Sequence, residues 1–292
     1  MSILITGATG MIGSDLTKFF SKKTKVLAVY RKKKSCSPKN KNIKWIKCDL
    51  KKKINFKNEL TPDCIIHCAI DQKNNDLRTE EYIKKNILIT KNLVEFAKEN
   101  KVKLFVNFSS IDVYGKTNKG ILDEKVFSKK QSDYGYLKLC SEKLVRDTKA
   151  NYINLRTPGV LCLNSLNSDR PWIALIIKKM LKDEQITIYN SSSKFNNLTS
   201  SEELAKFIDY IIKKNIKIKD TFNFACKDPL YIYELINYIK KKIKSKSTVK
   251  KINSVKKKSF CISVKKIENK TKYNFRSTKL LIEQYLTQQN LI

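Results

Sequence analysis

Histidine occurs once in the 292 residues, and arginine only six times. One imidazole cannot found a zinc-type ligand cluster, so no metal is expected. No apolar run approaches the roughly eighteen residues a membrane span requires, so no membrane partner is expected. The eight cysteines (Cys36, Cys48, Cys64, Cys68, Cys140, Cys162, Cys226, Cys261) contain no C-x-x-C pair and read as reduced, mostly buried thiols of a cytoplasmic protein. A strand pattern begins within the first residues, so no signal or transit peptide is expected. Acidic residues are scarce, 27 against 61 Lys+Arg, for a formal net charge of +34. That balance suits a polyanion partner, but nearly all of it is lysine spread along the chain, with runs at 32–34, 51–53, 240–242 and 256–258. Base readers rely on arginine and aromatic platforms, which are not clustered here, so no specific nucleic-acid partner is expected. The lysines read as solvated surface whose field favours an anionic small substrate.

What the chain does have is 41% hydrophobic residues, enough at this length for one large domain or two unequal lobes. Ile3-Leu4-Ile5 predicts a short buried strand, followed by Gly7, Gly10 and Gly13 and then an apolar helical pattern over 11–20. Gly7 permits the turn, Gly10 lets backbone N–H groups approach a pyrophosphate, and Gly13 lets the helix pack close to the sheet. Thr9, Met11 and Ile12 complete that loop, and the helix N-terminus supplies partial positive charge for phosphates. A strand–glycine loop–helix of this kind predicts dinucleotide binding. The second strand, 25–30, ends in Tyr30-Arg31 followed by Lys32, Lys33 and Lys34, with no acid there to accept from a ribose 2′-OH. A guanidinium at that position leans the expectation toward NADP over NAD.

The third strand, 43–48, delivers Asp49-Leu50, with the carboxylate expected near an adenine amino group. The fourth, 63–69, ends in Cys68-Ala69, small enough for close cofactor approach; His67 reads as a packed, hydrogen-bonded strand-end residue. A long amphipathic helix over 82–100 carries Asn86, and the fifth strand, 103–108, delivers Ser109 and Ser110. This alternation predicts an α/β, doubly wound parallel sheet. Tyr134 and Lys138 then stand four apart on one helical face. A neighbouring ammonium, helped by a nicotinamide cation, lowers a phenol's pKa toward the working range. The tyrosine then exchanges a proton with a sugar or alcohol oxygen held by the serine while a hydride moves to or from the nicotinamide.

These residues, together with Ser-Ser-x-x-Val-Tyr-Gly at 109–115 and Asn154-Leu155-Arg156-Thr157-Pro158-Gly159-Val160, resemble the extended short-chain dehydrogenase/reductases of the NAD(P)-dependent nucleotide-sugar epimerase/dehydratase group. The resemblance covers nearly the whole chain. It implies a Rossmann domain over 1–160, with returning segments near 197–225, and a smaller C-terminal α/β substrate lobe over 161–292. It makes Tyr134 the acid/base, Lys138 its pKa modulator and a ribose contact, and Ser110 (or, second, Ser109) the hydroxyl partner. Asn86 becomes a structural or relay residue near the cofactor, and Ser110, Asp112 and Arg156 face a nucleotide-sugar substrate. A homodimer is also implied. The stretch 244–258 reads as a lysine-rich connector.

The reaction follows from departures within the pattern. Dehydratases of the family carry an acid–acid or Ser-Glu pair after the strand-end hydroxyl; here Ile111 replaces the first and Asp112 keeps the second, which disfavours dehydration. An epimerase retains NAD, whereas the Tyr30-Arg31 ending suits uptake of NADPH and release of NADP. The leading expectation is a reductase of a keto nucleotide-sugar in deoxysugar or surface-polysaccharide biosynthesis, with Tyr134 as acid. A nucleotide-sugar 4-epimerase with tightly held NAD is the alternative. A non-catalytic dinucleotide sensor is disfavoured by the intact Ser110, Tyr134 and Lys138.

Overall fold

Apolar runs separated by helical patterns resolve into a layered α/β structure. The computed structural model describes residues 1–32, 40–54, 56, 61–73, 78–127, 130–254 and 259–292. Cys36, Lys33, Lys34 and the lysine run at 256–258 lie outside the described residues. Five strands, β1 (Ser2–Thr6), β2 (Lys25–Tyr30), β3 (Ile43–Lys47), β4 (Cys64–His67) and β5 (Leu104–Ser110), join the later strands Asn151–Thr157 and Lys219–Asn223 in one seven-stranded sheet. From one edge the order is Lys219–Asn223, Asn151–Thr157, β5, β4, β1, β2, β3. The pairs β1–β2, β2–β3, β1–β4 and β4–β5 are parallel, with Ile3 opposite both Val26 and Cys64. β1, β4 and β5 are buried along their whole length, which is why they read as unbroken apolar runs. The strand order reverses between β1 and β4, and ligands bind outside the carboxyl ends of strands at such a point.

Three helices position the site. α1 (Met11–Phe20) buries Gly13, Leu16, Thr17 and Phe20, the spacing of one helical face. α2 (Thr79–Glu99) buries Tyr82, Asn86, Ile89, Leu93 and Phe96 and packs beside α3 (Asp133–Arg146). α3 starts at Ser132, whose hydroxyl accepts from the Gly135 N–H at 3.0 Å.

The chain forms two compact units, one of Met1–Lys116, Phe127–Arg156 and Ile211–Phe222, the other of Thr117–Val126, Thr157–Tyr210 and Asn223–Ile292. The segment 117–126 groups with the second unit because Ile121–Leu122 pairs in parallel with Cys261–Ile262. Of the returning stretch anticipated near 197–225, only 211–222 groups with the first unit. The second unit has its own core, built on Ile173, Ile177, Leu235, Ile236, Ile239 and Ile282. The stretch 244–258 is more than a connector: Val249–Ile252 forms a strand parallel to Ile186–Tyr189. Lys250 and Lys251 are exposed there, while Val249 packs on that core, so strand pairing and one core contact outweigh the lysine composition.

Candidate active site

The turn after β1 has little freedom. Gly7 adopts φ +65°, and a Cβ at Gly13 would stand 2.2 Å from the Gly7 carbonyl oxygen, so α1 reaches the sheet only with glycine there. Gly10 begins α1 with no side-chain cap among the described residues, which leaves its first N–H donors available to a ligand. Gly7, Thr9 and Gly10 line a cavity of about 640 Å³ with Arg31, Asp49, Leu50, Cys68 and Ala69. A backbone cradle at a helix N-terminus beside two strand ends fits a dinucleotide pyrophosphate and adenosine. Burial holds the Cys68 thiol protonated, its pKa pushed up to about 12.

Across the switch point, β5 and α3 converge. A Cβ at Gly135 would lie 2.2 Å from the Asp112 carbonyl oxygen, so the start of α3 approaches the Ile111–Tyr114 turn only with glycine there. That approach puts the Tyr134 phenol in hydrogen-bond contact with Ser110. Ser110 Oγ also accepts from the Asp112 N–H at 3.1 Å. Ser109 is engaged elsewhere, its hydroxyl donating to Glu142, so the geometry separates the two serines. Lys138 is buried, donates from Nζ to the Phe108 carbonyl at 2.7 Å, and lies 5.6 Å from the Tyr134 ring centre. Burial lowers its pKa to about 8, so near pH 7 it is protonated by about ten to one. Tyr134 differs from expectation. Its pKa is pushed up to about 12, first by burial and then by the Asp112 carboxylate, with Ser110 acting the other way. In the chain alone the phenol therefore keeps its proton.

A row of buried polar side chains crosses neighbouring strands of the sheet. Thr6 and His67 meet at 2.8 Å, Asn107 donates to Asn154 at 2.8 Å, and Asn154 donates to Thr221 at 3.1 Å. Burial, then Lys138, drives the His67 pKa down to about 3, so the imidazole is neutral and structural, as read from the sequence.

A phosphate cradle and a Ser–Tyr–Lys cluster on one parallel sheet have a counterpart among known families: the NAD dependent epimerase/dehydratase family matches residues 3–225. The chain belongs to this family. It is 27% identical to a dTDP-D-glucose 4,6-dehydratase of Dictyostelium discoideum, over 76% of this chain and 58% of that protein, so it spans little more than half of that relative. It is 26% identical to an uncharacterised UDP-glucose epimerase of Bacillus subtilis, over 82% of this chain and 81% of that one. Among solved structures, the Bordetella bronchiseptica enzyme WbmG in complex with NAD superposes with a TM-score of 0.83 at 17% identity, covering 99% and 94% of the two chains. A UDP-N-acetylglucosamine 4-epimerase of Bacillus cereus gives 0.79 at 22% identity, covering 100% and 96%. At such identities the structural likeness speaks for the fold, the doubly wound sheet read from the sequence.

Two expectations about this family member's site are corrected by its own side chains. Arg31 is not a free guanidinium awaiting a 2′-phosphate: its Nη1 lies 2.8 Å from Asp71 Oδ1, in the same cavity. The carboxylate that the end of β2 lacks comes instead from the segment after β4. Arg156, expected to face a substrate, is engaged by side chains of its own unit. It forks both oxygens of Glu142 at 2.9 Å, bonds the Tyr114 hydroxyl at 3.2 Å, and is 8% exposed. Met11, Ile12, Gly13, Asn86, Tyr134 and Lys138 are not among the residues lining the cavity; Asn86 instead holds Asp71. Sequence reasoning missed Asp71, Gly135 and Glu142. Only Glu142 left a signal: a carboxylate four residues after Lys138 on the face that carries Leu137, Ser141 and Val145, where an acid needs a partner.

Proposed function

We propose that the protein is an NAD-dependent nucleotide-sugar 4-epimerase. The observation that carries this reading is the convergence of Ser110, Tyr134 and protonated Lys138 at the strand ends beside the glycine cradle. A nicotinamide dinucleotide supplies hydride acceptance and return when bound. The chain's residues do the rest. Ser110 holds the sugar oxygen at the reacting carbon. Tyr134, as the phenolate that Lys138 and a bound nicotinamide cation would favour, takes the hydroxyl proton as the carbon is oxidised and gives it back after the ketone has turned over. Lys138 keeps positive charge beside the phenol, which stabilises the phenolate that precedes the proton's uptake and follows its return. Met1–Lys116 with its returning segments serves as the dinucleotide domain and the second unit as the substrate lobe, in a cytoplasmic homodimer.

A keto-sugar reductase using NADPH is the second reading, supported by the same Ser–Tyr–Lys cluster. Asp71 on Arg31 weakens it, because the cation that favoured NADP uptake and release already has an anionic partner. Asp112 without a second acid continues to disfavour dehydration. The named activities of the Bacillus subtilis and Bacillus cereus relatives also support epimerisation. The test is proton NMR of UDP-hexoses incubated with the protein and NAD. Appearance of the 4-epimer with no net change in reduced cofactor supports the proposal. Stoichiometric consumption of NADPH with a keto-sugar, and no epimer from UDP-hexoses, overturns it in favour of the reductase.

A further inference from the structure

NAD-selective sites of this fold carry an acid at the end of β2, where it accepts from the ribose hydroxyls and repels a 2′-phosphate. Here that position holds Tyr30-Arg31, yet the cavity is not left to cations. Asp71 lines it together with Tyr30 and Arg31. Its Oδ1 is 2.8 Å from Arg31 Nη1, and its Oδ2 is 3.7 Å from Lys51 Nζ, which is equally far from Asp49. The Asp71 carboxylate is 14% exposed, against 51% for Arg31, so the acid is the fixed member of the pair.

What fixes it is Asn86. This buried amide accepts from the Asp71 N–H at 2.8 Å and donates to the Asp71 carbonyl at 3.1 Å, while the same Nδ2 also donates to the Tyr82 carbonyl at 2.9 Å. Both backbone groups of Asp71 are thus clamped to α2, and an amide satisfied on both ends has one orientation open to it.

We propose that Asp71 is the coenzyme-selecting residue of this protein and Asn86 its positioning residue. The carboxylate occupies Arg31 and stands at the end of β2 as an acceptor for ribose hydroxyls, so the cavity takes NAD and offers the 2′-phosphate of NADP no unpaired guanidinium. The selecting acid has moved from β2 to the segment after β4, and the arginine that reads as an NADP signal is its counterion. This inference rests on the dinucleotide reading of the cavity.

The experiment is a nicotinamide-fluorescence titration of the full chain with NADH and with NADPH. The native chain is expected to bind NADH at least about tenfold more tightly than NADPH, the size of one charge-assisted hydrogen bond. Asp71→Asn frees Arg31 and moves the ratio at least about tenfold toward NADPH, and adding Arg31→Ala removes that gain. Asn86→Leu narrows the ratio in the same direction, and Asp71→Glu restores the native preference. An unchanged ratio in Asp71→Asn, with NADH still bound and the melting temperature native, overturns the proposal, as does a native preference for NADPH. A native chain that binds neither dinucleotide fails earlier and overturns the functional reading itself.

Discussion

Two arginine–carboxylate pairs of the same chemistry stand in the first unit and do different work. Arg156–Glu142 is sealed, with side-chain exposures of 9% and 0%. Arg31–Asp71 is open on its cationic side at 51% and lines the cavity. In the sealed pair each charge depends on the other, and Ser109 and Tyr114 take up the remaining polar positions. In the open pair solvent screens the attraction, so little stability rides on it. Its effect falls on whatever anion or hydroxyl enters beside it. Burial, more than residue type, decides whether a pair braces the fold or reads a ligand.

Breaking the sealed pair has the largest expected effect. Glu142→Ala strands the Arg156 guanidinium and lowers stability by about 3–5 kcal/mol, read from urea unfolding midpoints. Next comes the proposed proton-transfer group. Tyr134→Phe lowers turnover by about 10²–10⁴-fold while NADH binding stays within a few-fold of native, since only the phenolic oxygen is lost. A third effect belongs to buried Lys138, whose folded-state pKa of about 8 is below its ordinary value. Between about pH 8 and 10 the unfolded chain holds this proton and the folded chain does not, so stability rises with pH across that window, by up to about 1 kcal/mol per unit. It falls away again as pH drops through 8. Lys138→Met flattens the rise, measured as unfolding midpoints at pH 8, 9 and 10. The smallest effect sharpens the contrast: Arg31→Ala changes stability by less than about 1 kcal/mol.

How much of this was legible in the sequence divides along the same line. α1 and β2 have the predicted limits, 11–20 and 25–30, because the 3.6-residue and buried-strand patterns are local. The cradle glycines and the Tyr134–Lys138 face were readable for the same reason: their meaning lies in spacing along one element. Arg31 and Arg156 were misread because their partners are 40 and 14 residues away, on other elements. Nothing near Arg31 announces Asp71, and nothing near Arg156 says that α3 will bury Glu142 beneath it. Spacing places an ammonium near Tyr134 but does not show the burial that, in the chain alone, raises the phenol's pKa. The strand at 249–252 was hidden by its lysines, since pairing rather than composition made it.

The most direct measurement on the whole account is saturation of the native chain with NADH, followed by nicotinamide fluorescence beside a Gly13→Val variant. A Cβ at position 13 collides with the Gly7 carbonyl, so the cradle cannot close. The account predicts one NADH bound per native chain and none by the variant at concentrations that saturate the native protein. Failure of the native chain to bind NADH or NADPH would contradict it, because every role given to Ser110, Tyr134, Lys138 and Asp71 depends on a dinucleotide lying in that cavity.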